Sequence, residues 1–139
     1  MNLTPEINKE EILKSAESCA HCGLCYQTLP SLTKSYQHSD TCPAGLYFNF
    51  DAYYSPGRNE IAKSILQGRY DPKDSKKLLE ILYSCTTCGA CEINCRYGND
   101  VNVLPVHTTE AIRALVNKDG LTATTNRDNP RHSKSKLPG

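Results

Sequence analysis

The sequence predicts a mainly α chain held together by something other than a large apolar core, and three observations carry that reading. Apolar residues recur at helical spacing in four segments with capping signals at their ends, and no segment alternates as a strand does. Large aliphatic and Phe side chains are scarce, with 27 Leu, Ile, Val and Phe among 139 residues, near the composition at which chains remain unfolded. Net charge is only +1, however, and eight cysteines stand beside one Met and no Trp. A chain without strong self-repulsion and rich in thiols has another source of cohesion available.

The elements follow in order. Asn8, with Glu11 three residues later, forms a capping-box pattern, and Ile12, Leu13 and Ala16 then share one helical face. This helix should run to about Ser18 and deliver the chain into a first cysteine cluster. From Cys19 to Asp51 no period is sustained and Ser, Thr, Tyr, Gly and Pro abound, which predicts a loop wrapped around something. Ser55-Pro56 reads as an N-cap followed by Pro at the first helical position, with Ile61, Ala62, Ile65 and Leu66 as an apolar stripe ending at Gly68. Asp71-Pro72 repeats that start signal with Asp74 in the first turn, and the stripe Leu78, Leu79, Leu82 and Tyr83 points the helix at Cys85. After a second cysteine cluster, Ala111, Ile112, Leu115 and Val116 mark a helix over 104–117, stopped by Asp119-Gly120.

Length allows one domain, expected over residues 1–121, followed by a tail at 122–139. The tail sets Arg127, Arg131, Lys134 and Lys136 against Asp128 alone and reads as a flexible basic segment. A balanced charge argues against nucleic acid as the main partner. No window approaches the roughly 18 to 20 apolar residues that span a bilayer. The opening Met1-Asn2-Leu3-Thr4-Pro5-Glu6 has neither the basic nor the apolar part of a signal peptide. The expected location is cytoplasmic, where thiols stay reduced and regularly spaced cysteines mean metal more often than disulfides.

The cysteines form an internal repeat. Cys19-Ala-His-Cys22-Gly-Leu-Cys25 is followed by Cys42-Pro43, and Cys85-Thr-Thr-Cys88-Gly-Ala-Cys91 by Cys95. Two intervening residues let successive thiolates reach neighbouring corners of one compact inorganic cube, with Gly23, Gly89 and Ala90 keeping the backbone close. Three thiolates take three irons of a [4Fe–4S] cluster, and in two-cluster ferredoxins the fourth iron is held by the distal cysteine of the other motif. On that logic Cys19, Cys22, Cys25 and Cys95 hold one cluster, and Cys85, Cys88, Cys91 and Cys42 hold the second. Structural zinc wants four ligands as two pairs and leaves a third cysteine surplus in each half. A thioredoxin-like pair would sit beside a βαβ pattern, which is absent.

These residues resemble the α-helical ferredoxin modules of the C-type subunit of heterodisulfide reductase. They are also similar to the iron–sulfur modules of glycolate oxidase, of lactate-utilisation proteins and of the C-type component of anaerobic glycerol-3-phosphate dehydrogenase. The resemblance rests on both triads, Cys42-Pro43, the helix opening Ser55-Pro56-Gly57-Arg58, and Cys95, together about residues 15–117. Longer members of that group continue into cysteine-rich CCG domains, whereas this sequence has no cysteine after Cys95 and looks like the separate small subunit. The resemblance implies a non-catalytic electron-transfer subunit in a hetero-oligomeric complex. It would relay single electrons between a flavin- or ferredoxin-type donor and a catalytic CCG-domain subunit acting on a disulfide. The iron–sulfur subunit of a 2-hydroxy-acid or glycerol-3-phosphate oxidising complex is the alternative, and a purely structural metal module is an alternative of another class.

Two departures from the family pattern stand out. Sixteen residues, Tyr26 to Thr41, separate Cys25 from Cys42 where the pattern has three, which predicts a surface loop beside a cluster. Arg96 follows Cys95 where the pattern has Pro, restoring a backbone N–H and adding a positive charge, both expected to favour the reduced cluster. His21 reads as an exposed residue, His38, His107 and His132 have no partner spacing, and Tyr26 and Tyr83 are expected to cover the clusters. No residues here are expected to bind flavin or nicotinamide. Metal binding would then supply much of the folding free energy, leaving the apo chain largely disordered.

Overall fold

The computed structural model describes residues 8–26, 40–73, 75–99 and 103–118, and of 96–99 and 118 only the backbone. The basic tail, the stop signal Asp119-Gly120, His38, His132, Asp74 and insertion residues 27–39 lie outside the described residues.

Six α-helices occur among the described residues: α1 (Lys9–Glu17), α2 (Pro43–Phe48), α3 (Ser55–Leu66), α4 (Lys76–Ser84), α5 (Ala90–Asn99) and α6 (Pro105–Lys118). Short 3₁₀ turns at Leu24–Tyr26 and Asp51–Tyr53 complete the fold. The mainly α reading holds, and α1 begins as the capping box requires, with the Asn8 side chain accepting from the Glu11 N–H at 3.3 Å.

Three boundaries differ from expectation. The segment after Cys19 is not all loop, because α2 follows Cys42 and Pro43 occupies its first turn. Helix α5 runs straight out of the second triad, where no helix is read from the sequence. Helix α4 is N-capped by Ser75, whose Oγ accepts from the Leu78 N–H at 3.2 Å, whereas the earlier Asp71 caps a local turn through the Lys73 N–H at 3.0 Å.

Helices α1, α3 and α6 pack on one another, and α4 closes the bundle against α6. Ala16, Ala62, Leu78, Leu82, Ile112 and Val116 meet in the main core, all buried. Ser15 ties the bundle at its cysteine end: its Oγ accepts from the Leu104 N–H at 2.8 Å, ahead of α6, and lies 3.3 Å from Thr108 Oγ1. A smaller cluster of Ala44, Tyr53 and Ile81, with Phe48 stacked on Tyr53 at 3.8 Å between ring centres, joins α2 to α4. The turn Asp51–Tyr53 lies so close under α3 that a Cβ at Gly57 would collide with the Asp51 carbonyl oxygen and the Ala52 Cα.

Candidate metal centre

The two triads share one backbone conformation. His21 and Thr87, each preceding the middle cysteine, have φ of 51° and 54°, and Gly23 and Gly89, each following it, both have φ of 79°. A Cβ at Gly23 or Gly89 would meet nothing within 4 Å, so left-handed backbone rather than crowding demands glycine there. Thr87 is β-branched, and this geometry costs it about 1–2 kcal/mol. Strain of this kind persists where a site over-determines the chain. It serves orientation: alternating backbone twists turn successive N–H groups to one side. The Thr87 N–H accordingly donates to Cys85 Sγ at 3.4 Å.

Cavities lie beside the triads. Cys19, Cys22, Cys25 and Cys95 surround one of about 160 Å³, walled also by Ser55 and Pro56 at the start of α3. Cys42, Cys85, Cys88 and Cys91 surround a tighter one of about 20 Å³, which Cys25, Ser55 and Arg58 also line. Among the described residues no three His, Cys, Asp or Glu side chains converge as the ligands of one ion do. The thiols rim spaces instead: the first has room for a group of several atoms, whereas the second, at about 20 Å³, holds little more than a water and must widen to take a cluster.

Local structure explains each position. Cys91 and Cys95 stand one turn apart on α5, so they share a face while reaching different cavities. Helix α5 also packs on the turn carrying Cys25, the thiol that lines both cavities. Cys42 is the N-cap of α2, and its Sγ accepts from the Gly45 N–H at 3.4 Å. The sixteen-residue excursion before it is pinched at its base, since the Thr41 N–H donates to the Tyr26 carbonyl at 3.0 Å.

Cys85 ends α4, and Arg113 of α6 holds that end in place. Its guanidinium donates to the Leu82 carbonyl at 2.6 and 3.1 Å and to the Cys85 carbonyl at 2.6 Å, satisfying oxygens the helix terminus leaves free.

Burial is the leading influence on the thiols of Cys25, Cys91 and Cys95. It pushes Cys25 up to about 12, with Cys91, Cys19 and Cys22 adding like-charge repulsion. Cys91 is pushed up to about 11 by burial and by Cys85, with the Arg58 guanidinium opposing the rise. Cys95 is raised as well, first by burial and then by Cys19 and Cys22. Metal must displace these protons, and a multivalent cation would relieve the crowding of negative charge that holds them on.

Arg58 tests the fit of an anionic group directly. It is 4% exposed, one of its terminal nitrogens donates to the Tyr53 carbonyl, and its Nε has no partner. A buried guanidinium with an unanswered N–H is costly unless negative charge meets it. The second cavity, which it lines together with five cysteines, is where such charge would be.

Several expectations need correction. Tyr26 and Tyr83 line neither cavity: Tyr26 stacks on Tyr54 at 3.9 Å and donates to Asp51, while Tyr83 lies under the Arg113 guanidinium at 5.0 Å and accepts from Asn117 at 2.8 Å. Their rings are occupied by tertiary contacts. Arg96 falls inside α5, where its N–H belongs to the helical ladder, so the expected gain of an N–H for a cluster does not follow. Its side chain lies outside the described residues. His21 is partly exposed, as expected, and its Nε2 lies 3.1 Å from Glu60, which Lys63 also holds at 2.6 Å. Sequence reasoning gave Arg58 no role beyond its place in the helix opening Ser55-Pro56-Gly57-Arg58 and overlooked Arg113, because an apolar period carries no signal for a buried cation.

Comparison with known proteins identifies the family. A family model described as a 4Fe-4S dicluster domain matches residues 15–99. Among curated proteins, the chain is similar to the D-type subunit of dihydromethanophenazine:CoB--CoM heterodisulfide reductase from Methanosarcina barkeri, 25% identical over 122 residues. The corresponding subunits of Methanosarcina acetivorans and Methanosarcina mazei are each 24% identical over 122 residues. These alignments cover 85% of this chain and 29% of each relative, so the chain spans less than a third of their length. No solved structure matches the chain.

Proposed function

Because the chain belongs to the 4Fe-4S dicluster domain family, we propose that it is an electron-transfer subunit holding two [4Fe–4S] clusters by crossed ligation. Cys19, Cys22, Cys25 and Cys95 hold the first, and Cys42, Cys85, Cys88 and Cys91 the second. The observation that carries this reading is the grouping of thiols: each cavity is lined by one complete triad and by the distal cysteine of the opposite half, with Cys25 reaching the second cavity as well. Bound clusters supply reversible one-electron chemistry, at potentials set by hydrogen bonds, charge and burial around the sulfurs.

The chain's own residues do the rest. Helix α5 keeps the sites adjacent by presenting Cys91 and Cys95 one turn apart, and Cys25 stands between them. Backbone N–H groups of Gly45 and Thr87 aim at ligand sulfurs, and Val103, Pro105 and Val106 wall the cavities with apolar surface that limits water. The partners are a flavin- or ferredoxin-type donor and a catalytic CCG-domain subunit of a heterodisulfide-reductase-like complex. The three Methanosarcina relatives, each named as a heterodisulfide reductase subunit, support the heterodisulfide-reductase-like part of that reading. Among the described residues no helix is long and apolar enough to cross a membrane.

Anaerobic reconstitution tests the reading. About eight irons and eight acid-labile sulfides per chain, with EPR signals of reduced clusters after dithionite, are expected. Stoichiometric zinc, or clusters that dithionite and stronger reductants leave unchanged, would favour a structural module instead.

A further inference from the structure

We propose that Arg58 makes the two sites electrically unequal, its buried guanidinium favouring the electron at the site of Cys42, Cys85, Cys88 and Cys91. This rests on the ligand reading above. Arg58 lies in the first turn of α3, the helix whose opening residue Ser55 lines both cavities. Only the second cavity has Arg58 in its wall; the first is lined by cysteines and by neutral residues such as Ser18, Leu24 and Val103.

The guanidinium is unusually placed for a structural residue. It is almost fully buried, no carboxylate among the described residues pairs with it, and its Nε lacks an acceptor although one terminal nitrogen bonds the Tyr53 carbonyl. A positive charge kept in a low-dielectric wall interacts strongly with charge a few ångströms away. Adding one electron adds one negative charge, so the cation stabilises the reduced form more than the oxidised form. Two N–H groups act in the same sense at that site, from Gly45 to Cys42 Sγ and from Thr87 to Cys85 Sγ. Arg58 is thus a positioning and charge residue rather than a ligand.

The test is an EPR-monitored redox titration of the reconstituted full chain beside Arg58→Gln and Arg58→Lys, with iron content measured in each. Signals are assigned to sites with Cys88→Ser and Cys22→Ser variants. Arg58→Gln should lower the reduction equilibrium constant of the second site at least about tenfold, 59 mV for one electron, with a smaller change at the first. Arg58→Lys, which keeps the charge, should stay within about threefold of the unmodified chain at the second site. A structural role alone would change iron retention and leave the potential of the iron that remains. Equal shifts at both sites, or none at full iron content, overturn the proposal while leaving the cluster reading intact. An unmodified chain that acquires no iron overturns the cluster reading itself. Should Arg58→Gln fail to retain iron, Arg58→Lys decides alone, and a tenfold fall there overturns the role of charge.

Discussion

The two cysteine sites are built from the same seven-residue pattern and fold it alike, yet they sit in different surroundings. Paired φ values at His21 and Thr87, and at Gly23 and Gly89, show that the repeat is a repeat of backbone. The first site is roomier and is walled by small or apolar neutral side chains, whereas the second is tighter and includes a buried arginine. Local sequence therefore determines how three thiols are presented, and tertiary neighbours determine the charge they meet. The proposed relay would therefore have two stations of like chemistry in unlike surroundings.

The largest expected effect strikes both sites together. Gly57→Ala places a methyl group against the Asp51 carbonyl and the Ala52 backbone, atoms that cannot rotate away. Helix α3 must shift, at a cost of about 1–3 kcal/mol, and its opening residues wall both cavities. Thermal unfolding with iron analysis should show lower stability and loss of iron from both sites. Unchanged stability would mean that the turn and helix are not wedged as described.

Arg113→Ala should separate the sites. It removes three hydrogen bonds to the Leu82 and Cys85 carbonyls, leaving α4 uncapped beside the second triad. A loss of about 1–3 kcal/mol is expected, with iron released from the second site before the first in a chelator time course. Release in the opposite order would contradict the placement of Cys85.

Acidification should separate them in the other sense, with a smaller effect. Burial raises Cys25 to about 12 and also raises Cys95, whereas at Cys91, raised to about 11, the Arg58 guanidinium opposes the rise. A raised thiol pKa means the proton is held more tightly, so protons compete better with iron as pH falls. Each proton displaced on binding makes apparent affinity fall about tenfold per pH unit below the thiol pKa. Cluster occupancy should decline on acidification and the first site should empty first, followed by visible absorbance and EPR. Simultaneous loss would show that the thiol environments do not differ.

Much of this was legible in the residues, and the parts that were not have identifiable causes. The cysteine spacing, the capping box at Asn8 and the apolar stripe of α6 were readable because each is a local rule that tertiary structure did not overturn. Helix α2 escaped notice because it has six residues, too few for a period, and its N-cap is a cysteine sulfur rather than Ser, Thr, Asp or Asn. Helix α5 hides its inward face differently: Cys91 and Cys95 occupy the positions where a hydrophobic stripe would be. A helix that packs against a metal site need not look amphipathic. Arg58 and Asn59 are nearly fully buried polar residues, placed by a helix start whose surroundings come from three other segments. Only the folded chain brings those segments together.

Crossed ligation is tested most directly by EPR and Mössbauer spectroscopy of Cys95→Ala. Cys95 follows the second triad by four residues on α5, yet its side chain lines the cavity of Cys19, Cys22 and Cys25. The expected result is loss or conversion of the first cluster, with the second keeping its spectrum and potential. Selective damage to the cluster of Cys85, Cys88 and Cys91 would contradict the arrangement described here.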